Sequence, residues 1–129
     1  FIRPGEVVIA GGGSHLTLQR IGKSVRVVLS QEKGATPYQP SVDALFYSAA
    51  EQFGARALGV LLTGMGDDGA RGLLALRNRG ARTLVQDQQS CLVYGMPGAA
   101  VSLGAAEQIV PLHQIAPTLL DLVKAVPNE

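Results

Sequence analysis

The alternation of strand and helix in the second half of this chain limits its fold more than any other feature. Residues 58–63 (LGVLLT) form a continuous apolar run, and 69–79 follow as a helical pattern closed by Gly80. A strand at 82–86 (RTLVQ) comes next, then a short helix at 97–103 with Pro97 in its first turn and Gly104 at its end. A strand at 108–110 precedes a last helix at 114–125, where Ile115, Leu119, Leu122, Val123 and Val126 share one face. Such alternation with short connections implies right-handed crossovers and a parallel sheet.

The first half reads differently. Residues 6–10 suggest a short apolar strand (Val7, Val8, Ile9), entered through Pro4-Gly5 and ended by Gly11-Gly12-Gly13. Leu16 and Leu18, then Val25, Val27 and Leu29, alternate with polar residues around a turn at Gly22, which predicts a half-exposed antiparallel hairpin. A polar loop spans 30–40. Ser41 then stands as the N-cap of a helix, with Asp43 at the positive end of its dipole. Val42, Leu45, Phe46, Ala49, Ala50 and Phe53 fall on its inner face, and Gly54 stops it. With no repeat, low-complexity tract or linker, 1–129 reads as one domain.

Composition removes several function classes. Lys plus Arg less Asp plus Glu is 11 − 10 = +1, with no basic patch interleaved with aromatics, so nucleic acid is not an expected partner. No apolar run reaches the ~18–20 residues that span a bilayer. Cys91 is the single cysteine, which rules out an internal disulfide and fits a reducing, cytoplasmic setting. The opening residues, Phe1-Ile2-Arg3-Pro4-Gly5, lack a start methionine and a signal-peptide layout, and read like the middle of a longer chain.

Functional groups on parallel sheets gather at the carboxyl ends of the strands. The segment 61–69, LLTGMGDDG, is a strand end, a glycine-rich loop with two carboxylates, and a helix start. Four readings compete. Asp67 or Asp68 can cap the following helix. The loop can cradle a phosphate, though two carboxylates would repel one and no Walker-type lysine follows. The carboxylates can serve a hard cation, though no third acid has obvious spacing. Finally, the aspartate can be the acid of a Ser-His-Asp triad, holding an imidazole in its working tautomer.

The last reading needs a serine and a histidine. Ser14 and His15 are adjacent, so in extended structure they point to opposite faces and cannot act on each other; GGSHL also departs from a G-x-S-x-G elbow at its last position. Residues 11–14 read as a turn and His15 as a strand start. His113 reads as a surface residue near a helix start, Ser41 as a cap, and Cys91 as a packing residue. The long connection 86–97 (QDQQSCLVYGMP) either lines a site or is a surface excursion packed by its own side chains.

Four segments carry a family resemblance: PSVD at 40–43, LLTGMGDDGARGL at 61–73, GARTLVQ at 80–86 and SCLVYGMPGAAVSLG at 90–104. In that order and spacing they resemble the catalytic domain of the chemotaxis methylesterases (CheB), and RPGEVVIA with the glycine-rich turn before His15 is similar to the middle of that domain. The resemblance covers nearly the whole chain. It implies a doubly wound, mostly parallel α/β sheet with helices on both faces and an N-terminal antiparallel hairpin. It implies hydrolysis of glutamyl methyl esters on methylated chemoreceptors, with receptor glutamine deamidation in some relatives, and no cofactor or metal. Asp68 matches the family's triad acid, and the Met65 backbone N–H matches an oxyanion-hole donor; the Met65 side chain has no task. A phosphorylatable receiver domain in the same parent chain is a further implication. The family's nucleophilic serine and its histidine belong to motifs that precede Phe1. The 129 residues are therefore expected to be an incomplete catalytic domain, inactive alone, lacking central strands whose place beside 58–62 is filled by the separate segment or by another chain. The alternative is a non-catalytic binding or scaffold module on the same fold.

Overall fold

A computed structural model describes residues 1–31 and 37–124. Three parallel strands, β3 (Leu58–Leu61), β4 (Arg82–Gln86) and β5 (Gln108–Val110), form a sheet in the order β3-β4-β5. Each step crosses through a helix: α2 (Ala70–Asn78) between β3 and β4, and α3 (Met96–Ser102) between β4 and β5. α1 (Val42–Phe53) precedes the sheet and α4 (Leu112–Val123) closes it. The doubly wound layout follows from strand periodicity. Leu84 packs with Ile115 and Leu122 of α4, whereas Val85 joins Leu61, Leu73, Leu76 and Ala100 on the other side. Successive strand residues thus feed two cores, one under α4 and one under α1, α2 and α3.

The hairpin is where the sequence puts it. β1 (His15–Ile21) pairs antiparallel with β2 (Ser24–Ser30), with Gly22 at φ 61 in the turn. α1 lies against β1: the Leu18 N–H donates to Ser48 Oγ at 2.9 Å and the Arg20 N–H to Gln52 Oε1 at 2.8 Å. Its predicted bounds hold, because Ser41 Oγ accepts from the Ala44 N–H and Gly54 takes a positive φ of 53.

Three expectations are corrected. Residues 6–10 are not a strand: the ladder takes only Ile2, paired with Val25, while Val7 and Ile9 are each 87% exposed. An apolar run becomes a strand only where another edge takes its hydrogen bonds, and among the described residues none does. The run at 58–63 yields a strand of four residues, since the Thr63 N–H turns aside to the Gln86 side chain. α4 begins two residues early, after Pro111 at φ −67. Its inner face is Ile115 and Leu122 with Leu119 half-buried; Val123 is exposed and Val126 lies outside the described residues. On β2, Leu29 faces solvent. Among the described residues no helix is long and apolar enough to cross a membrane.

Candidate active site

Asp68 ends the loop after β3 and is buried, whereas its neighbour Asp67 is exposed. The pair therefore does not converge on one ligand, and among the described residues no group of three His, Cys, Asp or Glu is placed to hold a metal ion.

The capping reading is right in kind but crosses between helices. Asp68 does not cap α2, the helix that follows it. Its Oδ2 accepts from the Val42 N–H at 2.7 Å, and its Oδ1 accepts from the Asp43 N–H at 3.1 Å and from Ser41 Oγ at 2.9 Å. These are the free amides and the N-cap of α1, whose positive dipole end faces the negative carboxylate. α2 is served in return by α1, where Asp43 Oδ1 accepts from the Gly72 N–H at 2.7 Å. Burial pushes the Asp43 carboxyl above its ordinary value, against the Gly72 hydrogen bond, and the nearby Asp68 charge adds to the rise. An ionised carboxylate offers about four acceptor positions. Among the described residues three on Asp68 are used, which leaves one position on Oδ2.

His15 was expected only to start a strand and Ser41 only to cap a helix. Both do so; Ser41 also bonds Asp68 directly, and His15 joins the cluster through the Ser41 amide. The Ser41 N–H donates to His15 Nδ1 at 3.1 Å, its hydroxyl to Asp68. A serine, a histidine and an aspartate thus share one hydrogen-bonded cluster, the residue types of a triad. Their order differs from a working relay, in which the serine hydroxyl donates to imidazole and imidazole donates to carboxylate. Here the hydroxyl bypasses the ring, and Ser41 is only 2% exposed. His113 is exposed at the start of α4, as expected.

The loop carrying Met65 is clamped from the far side of the site. The Gly64 carbonyl accepts from the Gly95 and Met96 N–H groups at 3.1 and 2.9 Å, the N-terminal amides of α3. Thr63 Oγ1 donates to the Val93 carbonyl at 2.9 Å and accepts from the Val93 N–H at 2.8 Å. Gly95 lies so close that a Cβ there would stand 2.8 Å from the Gly66 carbonyl oxygen. The connection 86–97 therefore docks on the glycine-rich loop and is not packed by its own side chains alone. Gln86, fully buried, anchors this side: its Oε1 accepts from the Thr63 N–H at 2.8 Å, and its Nε2 donates to the Ser90 carbonyl at 2.8 Å. Neither residue stood out in the sequence. Beside them, hydrogen bonds from Ser90 hold the Asp87 carboxyl below its ordinary value. Met65 projects outward, 81% exposed, and among the described residues its N–H donates no backbone hydrogen bond.

Fold and site together define a parallel α/β domain with a buried acid at the carboxyl edge of its sheet, between two clamped loops. The family model described as CheB methylesterase matches residues 1–119, and the chain belongs to that family. It is 50% identical over 114 residues to the protein-glutamate methylesterase/protein-glutamine glutaminase of group 3 operon of Bradyrhizobium diazoefficiens, covering 88% of this chain and 31% of that one. A similarly named protein of Shewanella oneidensis is 51% identical over 123 residues, 95% of this chain and 35% of that one. The crystal structure of the Thermotoga maritima CheB methylesterase catalytic domain superposes with a TM-score of 0.90 at 33% identity, covering 95% of this chain and 65% of that chain. The chain spans about a third of the length of these curated relatives.

Proposed function

We propose that this chain forms part of a protein-glutamate methylesterase, in which Asp68 is the acid of a Ser-His-Asp triad. The observation that carries the reading is the acceptor position on Asp68 Oδ2 that no described residue uses, on a carboxylate whose other positions are fixed by α1. A histidine contributed by the remainder of the full-length protein donates its Nδ1–H there, leaving Nε2 to take the proton of a serine that attacks the ester carbonyl. The Met65 N–H faces the oxyanion that forms. Collapse releases methanol, protonated by the imidazolium, and water then cleaves the acyl-enzyme to glutamate. The same cycle on a glutamine side chain releases ammonia.

The substrates on this reading are methylated chemoreceptors, supported by the names of the relatives and by the motifs at 40–43, 61–73 and 90–104. A receiver domain in the same parent chain belongs to this reading, and so do further strands paired along β3, the edge of the described sheet.

The hydrogen-bonded cluster favours a second reading, with Ser41 as nucleophile and His15 as base. The burial of Ser41 and the donation of its hydroxyl to Asp68 oppose it. One experiment separates the two. Methanol release from methylated receptor is followed with the full-length protein, and the reactive serine is labelled with a fluorophosphonate. Asp68→Ala is expected to lower release about 10³- to 10⁴-fold, with the label on a serine other than Ser41. A label on Ser41 supports the second reading. Undiminished release by Asp68→Ala sinks both, and absence of release with either ester or glutamine substrates leaves a binding role on this fold.

A further inference from the structure

We infer that Asp43 is a positioning residue for Asp68, acting through the N-terminus of α2; the inference rests on the triad role proposed for Asp68. The two aspartates exchange helix termini. The Asp43 N–H donates to Asp68 Oδ1, and Asp43 Oδ1 accepts from the Gly72 N–H, four residues beyond Asp68. The path from the Asp68 carboxylate along its own main chain to Gly72, across to Asp43 and back is a closed ring. A carboxylate held only by α1 could still move with its own loop. Tying the start of α2 to the residue that donates to Asp68 removes that freedom.

The packing at the crossing shows how closely the ring is drawn. A Cβ on Gly72 would stand 2.6 Å from Phe46 Cβ and 3.1 Å from both Asp43 Cα and Oδ1. At Gly69, the N-cap of α2, φ is 95, and a Cβ would meet Val42 Cγ1 at 2.9 Å. Only glycine permits this approach at both positions. The Asp68 acceptor position that no described residue uses is consequently aimed by two helices rather than one loop, and an error of about 1 Å in such aim costs up to ~10²-fold in rate.

The test is a mutant cycle in the full-length protein, read as kcat and KM for methanol release well below the melting transition. Asp43→Ala is expected to lower kcat about 10- to 100-fold with KM little changed. Asp43→Asn, which keeps the acceptor for Gly72, is expected to restore kcat to within about threefold. Should Asp43→Ala fail to fold, Asp43→Ser takes its place, one bond too short to reach Gly72. Leu122→Ala, on the opposite face of the sheet, serves as a control matched for lost melting temperature, and it should leave kcat near wild type. In an Asp68→Ala background the Asp43→Ala effect should vanish, since the two act through one carboxylate. An equal loss of kcat in the control, no rescue by asparagine, or a full Asp43 effect without Asp68 overturns the inference and spares the triad reading. No effect of Asp68→Ala overturns both.

Discussion

The Ser41 hydroxyl donates to Asp68 Oδ1 at 2.9 Å while accepting from the Ala44 N–H at 3.3 Å, so one buried oxygen both starts α1 and fixes the carboxylate. Ser41→Ala removes an N-cap and a hydrogen bond to a charged group together. N-caps contribute about 1 kcal/mol and charge-assisted bonds about 1.5–3 kcal/mol. Urea denaturation is expected to show a loss of about 2.5–4 kcal/mol with an unchanged m-value. A loss below about 0.5 kcal/mol would mean that Asp68 finds another donor.

Asp43 yields a pH prediction with a definite sign. Its carboxyl is raised above the ordinary value of 3.8, chiefly by burial, so the native state holds the proton more tightly than the unfolded chain. The stabilisation is fully present below that ordinary value and is lost as pH rises through the higher native one. At neutral pH the ionised group is a net cost, despite its bond to Gly72. Asp43→Asn should therefore melt at or above the wild-type temperature at pH 7, and the gap should close as pH falls below 4. A gap that widens on acidification would contradict the burial argument.

Local chemistry was legible where the residues that fix a feature are close in sequence. α1 has its predicted bounds because Ser41 and Gly54 act on its own first and last turns. β4 and β5 match because short apolar runs on a parallel sheet have one place to go. Residues 6–10 carry the same kind of run and form no strand, because strand formation depends on a partner that local sequence does not specify. The TGMGDDG motif singled out Asp68, which is buried, but its surroundings were not legible. The Val42–Asp68 and Asp43–Gly72 bonds join residues 26 and 29 apart. No period or spacing signals that one helix caps its neighbour; taken alone, Asp68 reads as a cap for the helix that follows it and Asp43 as an acid suited to the dipole of its own helix.

The oxyanion assignment predicts a split between the side chain and the backbone of Met65. The side chain is exposed and touches nothing the chemistry uses, so Met65→Ala should keep kcat within about threefold. Replacing the residue by its α-hydroxy analogue changes the N–H to an oxygen and leaves the shape alone. That replacement should lower kcat about 10²- to 10³-fold, the usual effect of losing one oxyanion donor. Equal activity of the ester-linked and native proteins in single-turnover methanol release would remove Met65 from the mechanism.

Gln86 tests whether the second clamp matters as much as the first. Its side chain is 1% exposed and is the partner of both the Thr63 N–H and the Ser90 carbonyl. Gln86→Leu keeps the volume but leaves that amide and that carbonyl without the partner they now have, each at a cost of about 1–3 kcal/mol. Partial relaxation of the loops lowers the sum, so a loss of about 2–4 kcal/mol is expected in chemical denaturation. Thr63 also leads directly into Gly64 and Met65. If Gln86 holds the oxyanion loop as the hydrogen bonds indicate, Gln86→Leu should lower kcat more than a core truncation of equal cost such as Leu122→Ala, which touches only the opposite face. Equal kcat losses in the two variants would assign Gln86 to stability alone and leave the aim of the Met65 amide to the Gly64 contacts with α3.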